Sequence, residues 1–179
     1  DIAVANLTIT PERSKLVDFS NPLITDVSEL VITRGKSNQM ETLADLSGLE
    51  IHVRESSSYF NTLKMTNKKL KKMKHPPVVI KKASDYLEDY DLLDMVNAEL
   101  IQATVVDSHK MAFWEKIFTD LNAHRNIPLK SDGQIAWAMQ KNTPELKAMV
   151  NNFLKDYREG TLLGNILRDR YLENNRWAK

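Results

Sequence analysis

Thr8 and Arg13 flank a turn that could hold a carboxylate. The stretch Asn6-Leu7-Thr8-Ile9-Thr10-Pro11-Glu12-Arg13 reads as a strand running into a capped helical turn. Thr10 suits the cap, and Pro11 suits the first helical position, where its missing N–H needs no partner. An arginine inside such a turn can grip a carboxylate through two charged hydrogen bonds, with a hydroxyl adding another. The plainer alternative is an ordinary turn whose arginine pairs with Glu12 or Asp18. Ser56, Ser57 and Ser58 form a second candidate. They follow the strand-like Leu49-Glu50-Ile51-His52-Val53 and precede a helical pattern, which brings hydroxyls and free backbone N–H groups together. Asp107 is the third. It ends the apolar run Ala103-Thr104-Val105-Val106, where a carboxylate either meets a ligand or merely favours the start of a helix.

Other chemistries find less support. There is no cysteine, which excludes thiol catalysis, disulfides and cysteine-based zinc sites. His52, His75, His109 and His124 lack metal-ligand spacing, so neither a metal nor a cofactor is expected. Asp18, Glu29, Glu55 and Asp107 are candidate carboxylates that sequence alone cannot pair across a glycosidic bond. Trp114 and Trp137 fit core packing better than sugar stacking.

The elements that must carry these residues follow from pattern. Glu29 to Arg34 is a β-rich run stopped by Gly35-Lys36-Ser37-Asn38, and Thr42 with Asp45 caps a short helix. After the serines a helix runs to about Met73 and is ended by His75-Pro76-Pro77. Val78-Val79-Ile80 is a strand, Asp85 and Glu88 cap a helix through Val96, and residues 103–107 form a buried strand. Ser108 is placed to cap a helix reaching about Leu121. This alternation, from Leu49 to Leu121, predicts an α/β lobe with a largely parallel sheet, whose ligands gather at the carboxyl ends of strands. Ile135 to Met139 is a further strand. The helix opened by Thr143-Pro144-Glu145 shows one wide apolar stripe, predicted to be buried: Leu146, Met149, Val150, Phe153, Leu154 and Tyr157. Gly160 stops it, and a last helix buries Leu162, Leu163, Ile166, Leu167 and Tyr171. The basic, polar stretch 174–179 reads as a linker.

The 179 residues carry 25 basic and 24 acidic side chains, a net charge of +1 that argues against nucleic acid as a partner. Between Lys64 and Lys82 there are eight lysines and no acid. That patch is first a solvated helix face, with weak contact to an anionic surface as the alternative. No apolar run approaches a membrane span, and the opening Asp1-Ile2-Ala3-Val4-Ala5 reads as a strand entered in the middle.

The opening motif and the order of elements resemble family 3 of the bacterial extracellular solute-binding proteins, the periplasmic amino-acid binders. Within that family the chain is most similar to the modules that precede the catalytic domain of membrane-bound lytic murein transglycosylases. The resemblance implies a periplasmic-binding-protein type II-like fold with two lobes, lacking the first part of lobe 1. Residues 1–33 and 130–173 would be lobe 1, 34–129 lobe 2, and 174–179 a tail. It implies that Asn6 (through its backbone), Thr8 and Arg13 take a ligand carboxylate, and that Arg54, Ser56 to Ser58 and Asp107 take the rest, with Asp107 on the ammonium group. The serines replace the glycine-bearing turn of typical members, which narrows the approach to the backbone.

The expected function is therefore non-catalytic recognition of an amino acid or cell-wall peptide fragment in an interlobe cleft, in the periplasm or at the outer face of the cell envelope, with membrane anchoring through a parent protein as an option. It would regulate an attached transglycosylase domain or, alternatively, serve as the receptor of an ABC transporter. The resemblance places the transglycosylase domain after the tail, outside these residues, as a separate C-terminal partner. Self-association of the shortened lobe is a further expectation.

Overall fold

Thr10 and Pro11 set the first turn as their chemistry requires. Thr10 Oγ1 accepts a hydrogen bond from the Arg13 backbone N–H at 3.2 Å, and Pro11 opens the helix. The structure, a computed structural model, describes residues 1–35 and 39–173. The Lys36-Ser37-Asn38 part of the expected stop and the expected linker 174–179 lie outside the described residues.

In chain order the strands are β1 (Ile2–Thr8), β2 (Val17–Phe19), β3 (Ile24–Arg34), β4 (Glu50–Arg54), β5 (Val79–Ala83), β6 (Ala103–Asp107), β7 (Leu121–Ala123) and β8 (Lys130–Gln140). The helices are α1 (Pro11–Leu16), α2 (Ser58–Lys72), α3 (Asp89–Asn97), α4 (Ser108–Trp114), α5 (Pro144–Tyr157) and α6 (Leu162–Arg168). A short 3₁₀ turn covers Leu43–Leu46, where the Asp45 carboxylate accepts from the Glu41 and Thr42 N–H groups at 2.9 and 2.8 Å. No described helix is long and apolar enough to cross a membrane. Two compact units divide the chain: Asp1–Val27 with Asp132–Lys179, and Ser28–Ser131.

In the first unit, β1 and β2 both pair antiparallel with β8. The β1 register shifts between Ala3 and Leu7, so Asn6 sits in an irregular, exposed stretch, and pairing resumes at Leu7 and Thr8. Phe19, Ala136 and Ala138 form one small core, with Leu7, Ile9, Val17 and Leu23 against it; Met139, Val150 and Leu154 form another. Of the α5 stripe only Val150 and Leu154 are buried, whereas Met149, Phe153 and Tyr157 are exposed. Leu162, Leu163, Ile166, Leu167 and Tyr171 are exposed as well. This corrects the expectation of two buried faces. Periodicity states that a helix is amphipathic; it does not supply the element that covers it. Phe153 instead stacks on Trp137 and Tyr157, with ring centroids 6.0 and 4.3 Å away.

Gly133 in β8 has no room for a side chain, because a Cβ would stand 2.8 Å from the Val27 carbonyl oxygen. The oxygen belongs to the backbone and the Cβ position is fixed by it, so neither can swing aside. Gly133→Ala is expected to destabilise the first unit by about 1–3 kcal/mol, read by chemical denaturation followed through Trp137 fluorescence in a background with Trp114 and Trp177 replaced by Phe.

The second unit is a sheet in the order β7-β3-β6-β4-β5, with β3 antiparallel to both neighbours and β6, β4 and β5 mutually parallel. Alternation along the strands splits its core. Val31, Ile51, Val53 and Val105 pack under α2 residues Tyr59, Phe60, Leu63 and Leu70. Leu30, Ile32 and Val106 pack on the opposite face under Leu92, Leu93 and Val96 of α3 and Met111 of α4. Both cores lie wholly within residues 30–129. The Leu129 N–H donates to the Glu29 carbonyl at 2.9 Å, which ties the exit of this unit to its entrance.

Two helix boundaries differ from expectation. α4 ends at Trp114 instead of about Leu121, since Leu121–Ala123 pairs with β3 as β7. Ser108 is not the cap of α4: Asp107 holds that position, and Ser108 Oγ accepts from the Ser28 N–H at 3.1 Å. Likewise α3 is capped by Glu88 together with Asp91, while Asp85 accepts a 2.6 Å hydrogen bond from Ser56. Trp114 joins Tyr90, Phe113 and Phe118 in an aromatic cluster, in keeping with its core reading.

Candidate functional site

In the first unit the β1–α1 junction holds Thr8 and Arg13 together. Thr8 is 6% exposed, and its carbonyl accepts a 3.0 Å hydrogen bond from Arg13 Nη1. The guanidinium is thereby bent back toward the end of β1. Asp18, one of the surface partners considered for Arg13, is engaged elsewhere: it accepts from Lys141 Nζ at 3.2 Å and from the Asn142 N–H at 2.9 Å. Those two bonds, the backbone one first, hold its carboxyl below the usual range. Asn6 stands exposed in the β1 irregularity, two residues before Thr8.

In the second unit the candidates lie at the carboxyl ends of β4 and β6. Arg54 is occupied by acids: its Nη2 lies 2.7 Å from Asp89 Oδ1 and its Nη1 3.2 Å from Glu88 Oε2. Asp89 also takes Lys110 Nζ at 2.6 Å, and its side chain is only 9% exposed. Ser57 Oγ donates to the Arg54 carbonyl at 2.8 Å, and Ser58 opens α2. The three serines thus shape the strand–helix turn: Ser56 anchors it to Asp85, Ser57 closes it on Arg54, and Ser58 begins the helix.

Asp107 ends β6 and is 2% exposed. Its Oδ1 has no hydrogen-bond partner, while its backbone N–H donates to the Tyr59 hydroxyl at 3.2 Å. Burial pushes its carboxyl up to about 6; Lys110 opposes that rise, and Glu29 reinforces it. Directly across from Asp107 in the antiparallel register stands Glu29, also 2% exposed, with both carboxylate oxygens unpartnered. Sequence reasoning named Glu29 among the carboxylates but gave it no place in the site. Its one visible signal was a charged residue opening the otherwise apolar run Leu30-Val31-Ile32. His109 lies beside this group, and burial first, then Lys110, pushes its imidazole down to about 4, so it is uncharged at neutral pH.

The arrangement has the chemistry of recognition. The first unit presents a cation and a hydroxyl-bearing strand end, and the second presents buried acids with unused acceptors.

Comparison with known proteins agrees with that chemistry. The family description "Bacterial extracellular solute-binding proteins, family 3" matches residues 1–173. A membrane-bound lytic murein transglycosylase F of Pseudomonas fluorescens is 31% identical over 172 residues, which are 95% of this chain and 33% of that protein. Its counterpart in Desulfosudis oleivorans is 24% identical over 174 residues, 96% of this chain and 36% of the relative. The chain therefore spans about a third of the length of these relatives. Among solved structures, the substrate-binding protein of an amino acid ABC transporter superposes with a TM-score of 0.76 at 22% identity, covering 97% of this chain and 71% of that one. An ancestral arginine-binding protein bound to arginine gives 0.74 at 20% identity, covering 96% and 71%. These are type II periplasmic binding proteins, and the α/β fold described above is theirs. The chain belongs to family 3 of the bacterial extracellular solute-binding proteins.

Proposed function

We propose that this chain is a non-catalytic solute-binding module that recognises an amino acid or a cell-wall peptide fragment bearing a free ammonium group. The carrying observation is Asp107, a buried carboxylate at the end of a parallel strand with an unpartnered oxygen. Burying such an acceptor without a partner is costly, and a ligand's ammonium group removes that cost with a charge-assisted bond. Thr8 and Arg13 take the ligand's carboxylate, with the Asn6 backbone beside them. Arg54 acts from its ion pairs with Asp89 and Glu88, orienting the acids, and Ser56 to Ser58 offer hydroxyls along the turn.

The transglycosylase relatives support a sensory role in a longer envelope protein, in which ligand binding biases an attached catalytic domain. The likeness to a transporter's binding protein supports the second reading, delivery of the solute to an ABC transporter in the periplasm. Chemistry on peptidoglycan belongs in either case to residues outside this chain. The lysines of α2 remain a solvated face, with reversible contact to anionic envelope polymers as their added use.

Calorimetry of the chain against the amino acids and muramyl peptides tests the proposal. Saturable binding of at least one solute is expected, weakened about 10- to 100-fold by Arg13→Ala, the usual cost of a lost charged hydrogen bond. Binding that survives both Arg13→Ala and Asp107→Ala undiminished would remove these residues from the site.

A further inference from the structure

We propose that Glu29 and Asp107 together form the seat of a primary ammonium group, and that Glu29 restricts the ligands of this module to those carrying one. The inference rests on the solute-binding reading above, which already gives Asp107 an ammonium group, and goes beyond it by adding Glu29 and its selection of primary over quaternary ammonium.

Register carries the first part of the case. Glu29 on β3 and Asp107 on β6 are direct partners, so their Cβ atoms stand about 5 Å apart on one face of the sheet. The face is fixed by their neighbours: Val31 and Val105, two residues away on each strand, both belong to the core under α2. Acceptor count carries the second. Glu29 Oε1, Glu29 Oε2 and Asp107 Oδ1 are buried and unpartnered, which gives three acceptors. An ammonium group offers three donors and no acceptor, whereas a quaternary ammonium offers none.

Charge carries the third. Around the pair stand Asp89 at the start of α3, Arg54 at the end of β4, Lys110 and His109 on α4, and the Tyr59 hydroxyl on α2. Arg54 and Lys110 are both paired with Asp89, at 2.7 and 2.6 Å, with the Arg54 Nε buried and unpartnered, and the Tyr59 hydroxyl lies between Asp89, 3.5 Å away, and Asp107. His109 is uncharged at neutral pH. The two cations leave Glu29 and Asp107 without a salt bridge of their own. A ligand cation is the complement that this set lacks.

Seating it requires Asp107 to be ionised. The proton that Asp107 holds below about pH 6 is released to solvent when the ammonium enters, so apparent affinity falls by about tenfold between pH 7.5 and pH 5.

The test uses the whole chain with ¹³C-labelled carboxyl groups and methylammonium chloride as probe, with tetramethylammonium chloride as control. Methylammonium is expected to shift the Glu29 and Asp107 carboxyl resonances saturably, more weakly at pH 5 than at pH 7.5, and tetramethylammonium is expected to leave them unmoved. Glu29→Gln should abolish the Asp107 response, and Glu29→Asp should restore part of it. Absence of any methylammonium response, or an equal response to both cations, overturns the proposal. So does an Asp107 response unchanged in Glu29→Gln. If Glu29→Gln fails to fold, the discrimination between the two cations in the unmodified chain decides alone. Calorimetry with the solute panel separates the two levels. A chain that seats methylammonium but binds no solute keeps the pair and loses the parent reading. Amino-acid binding equally tight in Glu29→Gln does the reverse.

Discussion

Asp107→Asn is expected to raise the stability of the protein at neutral pH and, on the proposed function, to abolish the binding of ammonium-bearing solutes. The carboxyl is pushed from 3.8 up to about 6 in the folded chain, chiefly by burial. The folded state therefore binds this proton more tightly than the unfolded state does. Its contribution to stability is fully present below pH 4 and is lost as pH rises through about 6. At pH 7 the ionised side chain costs about 3 kcal/mol relative to a neutral one, taking about 1.4 kcal/mol for each pH unit between the two values. Asparagine keeps the shape, carries no charge and can donate to Glu29. The melting temperature is expected to rise by about 6–12 °C at pH 7, with the gain shrinking toward zero near pH 4. Thermal unfolding of both proteins from pH 4 to pH 8 checks this. A gain that does not vary with pH would point to a packing effect and away from the buried charge.

Asp89→Ala should be strongly damaging to the second unit. One carboxylate there holds Arg54 at 2.7 Å and Lys110 at 2.6 Å. Removing it leaves Arg54, whose side chain is 17% exposed, with only the exposed Glu88 as a partner, and leaves Lys110 without its acid. Breaking a buried ion pair from one side costs about 3–5 kcal/mol, because the remaining charges stay where water cannot reach them well. Lys110 also already stabilises the ionised form of Asp107. Once released from Asp89 it would compete internally for the proposed ammonium seat, so solute affinity should fall even in molecules that remain folded. Urea unfolding gives the first effect and calorimetry the second. A loss of less than 1 kcal/mol would mean that Arg54 and Lys110 find water or other acids easily.

What was legible in the sequence was what local chemistry decides. Thr10 and Pro11 defined a turn whose hydrogen bond is present, and the alternation from Glu50 to Asp107 gave the parallel part of the second unit. Asp107 was visible as an acid ending an apolar strand. Glu29 was not visible as its neighbour, since the two lie far apart in sequence and meet only through the β3–β6 register. The same holds for Arg54, whose commitment to Asp89 depends on α3 starting beside the end of β4. Helix length failed where tertiary pairing overrode periodicity: Phe118 and Leu121 continue the helical spacing of α4, yet Leu121 joins β7. The α5 and α6 stripes were correct as patterns, and their exposure was decided by what packs on them.

The backbone bond between Glu29 and Leu129 has a practical corollary. A segment hydrogen-bonded to itself one or two residues inside its ends occupies a single gap in whatever chain contains it, about as wide as two adjacent strands. With both of its cores formed from its own residues, the 28–131 segment has the properties of a transplantable cassette. Spliced into an exposed turn of a reporter enzyme or a fluorescent barrel, it would not force the host's two flanking ends apart. Protonation or ligation of its acidic pair would then act on the host through those two adjoining strands, and the host's signal would report chemistry taking place inside the insert.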